Sequence, residues 1–213
     1  RASHLTTRAG PGSCVGVLMA GGGARRFGGL PKGLALVGEV RIADRVLIAL
    51  RGASDRQIVV SNDPEADDWF PKLRVVEDET PGLGPLAGIE TALRAAKGGS
   101  VIVVAWDMPY VTAPLLRGMR ALGEIAGTAV VPVHGEPPVV EALCAYYPPT
   151  ALEVCRELLA AGERRAAALW DALPSATTIP ERLLVEHGEL HRLFMSVDTP
   201  EQLESLGGEM PRR

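Results

Sequence analysis

No stretch of this 213-residue chain has the length and apolarity of a membrane span. The longest apolar runs, Val101–Trp106 and Val15–Ala20, are strand-sized and stop at Asp107 and Gly21. Aromatic residues are only 4% of the chain, so a core must be built from Val, Leu, Ile and Ala, and stacking platforms for single-stranded nucleic acid are scarce. A net charge of −4 points the same way, against general nucleic-acid binding. Cysteine is sparse too. Cys14, Cys144 and Cys155 are odd in number and lack C-x-x-C spacing, which gives neither a disulfide framework nor a zinc ribbon and fits a reducing, cytoplasmic compartment. Residues 1–13 lack the apolar stretch of a signal peptide and read as a flexible N-terminal tail.

One absence is local. No Asp or Glu precedes Glu39, whereas Arg1, Arg8, Arg25, Arg26 and Lys32 all lie in that stretch. An acidic protein that keeps one segment wholly cationic has a place for an anionic ligand, such as a triphosphate, which its average field would repel.

What is present is an ordinary globular composition, 46% hydrophobic and 23% charged, in which short β-rich runs alternate with amphipathic stretches. The pattern predicts strands at 15–20, 57–61, 73–76, 100–106, 128–133, 142–146 and 193–197. Helices are predicted at 41–51, from Pro85 onward, and at 113–122, 150–161 and 199–206, the last capped by Thr199 with Pro200 first and Gln202 closing a capping box. The expected fold class is α/β: a Rossmann-like open, mostly parallel sheet with helices on both faces, as one domain over 14–207 followed by a C-terminal tail at 208–213. In such sheets ligands sit at the carboxyl ends of strands. Two chemically loaded loops follow strands here, Gly21–Lys32 and Asp107–Tyr110.

The first loop places Gly21-Gly22-Gly23 directly after a buried strand, where backbone N–H groups can approach phosphates without Cβ interference. It is neither familiar nucleotide motif. Arg25 and Arg26 stand where the dinucleotide fingerprint needs glycine, and Lys32 lies between Pro31 and Gly33 rather than in Gly-Lys-Ser/Thr. What remains is a glycine turn, an arginine pair and a lysine. Lys32 and Arg26 are candidates for holding a triphosphate and stabilising charge in a transition state, against the plainer reading of a solvated basic loop. Asp107 follows an apolar strand and precedes Met-Pro, so its carboxylate could join Mg²⁺ to phosphate oxygens or simply cap a turn. Asp198 is either a second hard-cation ligand or part of the helix start at Thr199. His187 and His191 are spaced i, i+4 without the H-E-x-x-H arrangement and read as a solvated helix face. Cys144 and Cys155 read as core residues, and the acidic run 63–68 as a solvated loop.

Ala20-Gly21-Gly22, Arg26-Phe27-Gly28 and Lys32 together resemble the A-G-G-x-x-x-R-M-G-x-x-x-K signature of the MobA family of nucleotidyltransferases, the molybdenum cofactor guanylyltransferases. Val76-Glu77-Asp78, Gly84-Pro85-Leu86-Ala87-Gly88, Asp107-Met108-Pro109-Tyr110, Ala161-Gly162-Glu163-Arg164-Arg165 and Val197-Asp198-Thr199-Pro200-Glu201 continue the likeness in family order. Departures are Phe27 for Met, Pro31 where an acidic residue is common, and Glu141-Ala142 where a His-Pro or Gln-Pro pair is usual. The resemblance implies the nucleotide-diphospho-sugar transferase type of fold and Mg²⁺-dependent transfer of GMP from GTP to molybdopterin, with pyrophosphate released. It also implies Arg26, Lys32 and Asp107 as catalytic residues, Asp107 as metal ligand, and Met19, Ala20, Gly21, Gly22, Lys32, Asn62, Asp78 and Asp107 against the nucleotide. Ser61 is the alternative to Asn62. No nucleic-acid or membrane partner is implied, and room is left for transient contact with other proteins of cofactor biosynthesis or molybdoenzyme maturation. Residue logic alone reaches Mg²⁺-dependent nucleotidyl transfer. A CTP-dependent or other small-molecule relative, and a GTP-binding protein without turnover, are the competing readings.

Overall fold

Every residue of the run Ser100–Ala105 is buried, and the strand it forms shows how the fold is layered. Successive side chains of a strand point to opposite faces. Val101 and Val103 accordingly enter one core with Leu86, Ile89 and Leu93, while Ile102 and Val104 enter another with Val46, Leu50, Leu115 and Met119. A sheet apolar on both faces must be covered by helices on both.

The computed structural model describes residues 12–21 and 31–210. Its first half runs β1 (Cys14–Met19), β2 (Leu36–Val37), β3 (Val40–Arg41), α1 (Ile42–Arg51), β4 (Arg56–Val60), α2 (Ala66–Trp69), β5 (Arg74–Val76), α3 (Pro85–Ala96) and β6 (Ser100–Ala105). There follow α4 (Ala113–Ala126), β7 (Ala129–His134), β8 (Val139–Val140), β9 (Cys144–Tyr147), α5 (Ala151–Ala160), α6 (Ala167–Ala172), β10 (Ala176–Pro180), α7 (Glu181–Leu184), α8 (Leu190–Leu193), α9 (Pro200–Ser205) and β11 (Gly208–Glu209). The main sheet has the order β10-β7-β9-β6-β1-β4-β5, with β8 paired to β7. Its pairs are parallel except where β9 runs against β6 and β7, and β8 against β7. The α/β expectation, mostly parallel with helices on both faces, is met. From β1 the chain steps outward to β4 and β5, then returns to add β6 on β1's other side, so the strand order reverses between β1 and β6. The carboxyl ends of those two strands are where such sheets bind ligands.

Local chemistry explains the helix ends nearest this point. Gly84 holds a φ of 80° and Pro85 opens α3 with φ already suited to a helix and no N–H to satisfy. Thr112 caps α4, and α9 carries the expected capping box of Thr199 and Gln202.

Three expectations change. The strand expected at 193–197 is instead the end of α8 and a loop, because Leu193, Phe194 and Val197 are buried at spacings that follow no two-residue alternation. His187 ends a 3-10 turn and His191 lies in α8 beyond Gly188, so they share no helix face. A tail is expected over 208–213, but Gly208 and Glu209 pair antiparallel with Val37 and Leu36 in a small second sheet, β11-β2-β3, and 211–213 fall outside the described residues. The acidic segment 63–68 is exposed as expected apart from Ala66, though it turns into α2. Cys14, Cys144 and Cys155 are buried free thiols, and burial pushes the Cys14 thiol up to about 11 and Cys155 to about 12. No helix among the described residues is long and apolar enough to cross a membrane.

Candidate functional site

Beyond the ends of β1 and β6 the backbone is tied across the sheet: Trp106 N–H donates to Met19 O at 3.2 Å, and Ala20 N–H to Val60 O at 2.9 Å. A cleft of about 420 Å³ opens there. Met19, Gly21, Lys32, Ser61, Asn62, Asp78, Trp106 and Asp107 line it, together with Gly82, Gly84, Pro85 and Gly88 at the start of α3. The positive end of that 12-residue helix therefore borders the cleft, which favours an anion there. Gly88 packs against the flexible end of the Met19 side chain, which would have to move if Gly88 carried a Cβ.

Lys32 and Asp107, 75 positions apart in sequence, meet at the cleft's edge. Lys32 opens a single 3-10 turn after Pro31, with Leu34 N–H bonding Pro31 O and Ala35 N–H bonding Lys32 O. Its neighbour Gly33 lies flat on the Trp106 indole, and the indole stacks on Trp69 with ring centroids 5.9 Å apart. Held in this way, Lys32 Nζ donates to Asp107 Oδ2 and, at 2.6 Å, to Asp198 Oδ1. Asp198 arrives because Val197 N–H bonds Asp107 O at 3.0 Å, which docks the chain before α9 against the end of β6. Lys32 and Asp107 side chains are only 14% and 11% exposed. Burial by itself would lower the lysine's pKa, but the Asp107 and Asp198 carboxylates outweigh it and hold it above 10.5, so Lys32 is a fixed cation.

On the other side of the cleft Asn62 and Asp78 bond reciprocally: Asn62 Nδ2 donates to Asp78 Oδ2 and Asp78 N–H donates to Asn62 Oδ1, both at 2.8 Å. Asp78 Oδ1 accepts from Thr91 of α3 at 2.8 Å. The alternative, Ser61, is buried and its hydroxyl accepts from Asp63 N–H, while Asn62 is exposed beside Asp78. Met19, Ala20 and Gly21 are on or next to the end of β1 beneath these groups, whereas Gly22 and Arg26 fall outside the described residues. The structure thus gathers Lys32, Asp107, Asn62, Asp78, Met19 and Gly21 around one cleft.

Two contributors were not read from the sequence. Trp106 serves as the floor under Lys32, and its signal was slight: a large aromatic immediately before the aspartate in a chain poor in aromatics. The bridge from Lys32 to Asp198 spans 166 positions and had no local signature.

The donor set at the edge is two carboxylates, hard oxygen ligands suited to Mg²⁺ when phosphate oxygens and water complete its shell. Among the described residues no group of three or more His, Cys, Asp or Glu side chains is placed to hold a metal without such help.

Comparison with known proteins identifies the family and the fold. A family profile described as the MobA-like NTP transferase domain matches residues 16–177. A probable molybdenum cofactor guanylyltransferase of Chloroflexus aggregans is 33% identical over 192 residues, 89% of this chain and 91% of that protein. One from Natronomonas pharaonis is 34% identical, covering 91% and 96%. Among solved structures, molybdopterin-guanine dinucleotide biosynthesis protein A from Archaeoglobus fulgidus superposes with a TM-score of 0.75 at 27% identity, over 91% of this chain and 96% of that one. The 2-C-methyl-D-erythritol 4-phosphate cytidylyltransferase of Thermus thermophilus shares the fold, with a TM-score of 0.64 at 18% identity, over 89% and 95%.

Proposed function

The chain belongs to the MobA-like NTP transferase family, and from that premise we propose that it transfers GMP from GTP to molybdopterin, releasing pyrophosphate and forming the guanine dinucleotide cofactor. The observation that carries this reading is the placement of Lys32 between Asp107 and Asp198, at the mouth of a cleft whose far side holds the Asn62–Asp78 pair.

Guanine presents N1–H and an amino group, and each Asp78 oxygen keeps a lone pair to accept them after its bonds to Asn62 and Thr91 are made. Asn62 fixes the direction of that carboxylate. With the base so placed, the triphosphate runs past Gly21 toward Lys32, whose charge does not titrate away near neutral pH. Arg26, from the acid-free stretch, is assigned to the same phosphates. Asp107, with Asp198 beside it, would hold Mg²⁺, which when bound neutralises charge on the phosphate oxygens. An acceptor phosphate oxygen then attacks the α-phosphorus, and the bond to pyrophosphate breaks. Lys32 stabilises charge on the phosphate oxygens and leaving group, a preorganised cation that needs no rearrangement during reaction. Three buried, unpaired thiols suit the reducing cytoplasm in which we place the protein.

The test uses GTP labelled at the α-phosphate, with Mg²⁺ and molybdopterin. Label is expected in a molybdopterin guanine dinucleotide, with unlabelled pyrophosphate released in equal amount. Bound GTP without label transfer would leave a binding protein, and label transfer from CTP instead would move the chain to another specificity.

A further inference from the structure

The outer surface of α4 is apolar where a surface helix is usually charged. Leu115, Leu116, Met119 and Gly123 form its buried side, and the opposite stripe holds Pro114, Gly118, Ala121, Leu122 and Ile125, all exposed. Ile125 is 87% exposed and Leu122 40%. A Cβ on Gly118 would meet nothing within 4 Å, which leaves room for another backbone to approach closely. The start of α4 lies beside the end of α1: Arg117 donates to Gly52 O at 3.2 Å, and a Cβ on Gly52 would fall 2.7 Å from Ala113 Cβ. Ile48, one helical turn before Gly52, is 61% exposed and adds an apolar residue at this end of α4, while Ile125 stands at the other end.

Charge is divided along the same axis. A groove of about 370 Å³ between the two helices carries Arg51 and Arg117 toward the α1 end and Glu124 toward the other. Arg120, between them, is held by Asp55 and Glu124. Among the described residues exposed Arg117 bonds the Gly52 carbonyl and pairs with no carboxylate. The surface is therefore complementary to itself when turned end for end.

We propose that a second copy of this chain covers it, with α4 packed antiparallel on α4 about a two-fold axis between Gly118 and Ala121. Such an axis sets Gly118 against Ala121 of the second copy, and Pro114, near Ile48, against its Ile125. It also brings the same flank of each helix together, so Arg117 comes within reach of Glu124 of the second copy, once on each side of the axis. The outer residues of α4 do not line the nucleotide cleft, so each copy keeps its own site open, and the pairing does not depend on which nucleotide that cleft takes. A 14-residue helix is about 21 Å long. With only the end of α1 beside it, the contact lies at or below the roughly 800 Å² per copy of a standard interface, and the dimer is expected to dissociate in the micromolar range.

Sedimentation equilibrium across micromolar concentrations reads the pairing directly, and wild type is expected to show a reversible monomer–dimer equilibrium. Ile125→Lys places a cation at an exposed position near the negative end of α4, which the helix tolerates; it should raise the dimer Kd at least tenfold, and Leu122→Lys serves if that variant does not fold. Arg117→Glu and Glu124→Arg each turn both symmetry-related contacts into like-charge pairs and should each raise Kd about tenfold. Mixing those two variants in equal amounts restores opposite charges at both contacts, and a heterodimer with Kd within threefold of wild type is expected. A wild type that stays monomeric throughout, even one that binds another protein through α4, overturns the proposal. So does a dimer indifferent to the lysine substitutions, or a pair of charge variants that gain nothing on mixing.

Discussion

Replacing Gly33 with alanine adds one methyl group and should disable the site without touching any group that contacts substrate. A Cβ at Gly33 would fall 2.2 Å from Trp106 Cε3 and 2.4 Å from Cδ2. That is more than 1 Å inside the roughly 3.5 Å separation of touching carbon atoms. The indole has no room to retreat, because Trp106 is only 4% exposed and stacks on Trp69. The 3-10 turn must therefore lift, carrying Lys32 with it, away from Asp107. Overpacking of this kind costs about 1–3 kcal/mol, which for a domain of this size lowers Tm by roughly 2–12 °C. Displacing a positioned catalytic group by about 1 Å can cost on the order of 100-fold in rate. Steady-state pyrophosphate release should show kcat reduced about 10- to 100-fold, beside a melting curve that remains a single cooperative transition. Trimming the indole in the same chain, as Gly33→Ala with Trp106→Leu, should recover part of the lost kcat, since the two changes share one contact and cannot be additive. A Gly33→Ala variant with kcat within threefold of wild type would refute the idea that Trp106 sets the height of Lys32.

Three further outcomes follow from the same geometry. Lys32→Met should lower kcat about 100- to 1000-fold, the usual effect of losing one charge-stabilising donor, and a smaller loss in single-turnover assays would remove Lys32 from the transition state. Asp107→Asn should weaken the dependence of rate on Mg²⁺ concentration along with the rate itself, and an unchanged Mg²⁺ titration curve would move the metal elsewhere. Glu163 accepts from the Arg165 guanidinium and from the N–H groups of Arg165 and Arg164, which lower its pKa from 4.5 to about 2. A carboxylate with a depressed folded-state value contributes stability above its unfolded pKa and loses it as pH falls through the folded one. An NMR titration should therefore find Glu163 ionised at pH 3.5, and Glu163→Gln should lose its stability deficit between pH 4.5 and 2; a midpoint near 4.5 would contradict both.

The parts of the fold legible in the sequence are those with local causes. The β-branched runs that became β1 and β6, Pro85 at the head of α3 and the Thr199–Gln202 box each carry their own signal within a few residues. β10 does not: Ala176–Pro180 is short, ends in proline and is only partly buried, and it becomes a strand because β7 offers a parallel edge. The two-residue strands β2, β3 and β11 exist only through one another. The site divides along the same line. Gly21, Lys32 and Asp107 could be picked out because each follows a strand in a chemically unusual loop. Their arrangement could not, because it depends on Val197 docking to Asp107 and on an indole beneath Gly33, contacts made only in the folded chain.

The central claim is that a cleft with the Asn62–Asp78 pair on one side and Lys32 on the other selects GTP and activates its α-phosphate. It is tested most directly by pyrophosphate release from GTP, CTP, ATP and UTP, each with Mg²⁺ and molybdopterin, in wild type and in Asp78→Ala. Release from GTP alone in the wild type, with that preference lost in Asp78→Ala, is the predicted result. Equal release from all four nucleotides, or a GTP preference that survives removal of the Asp78 carboxylate, would contradict it.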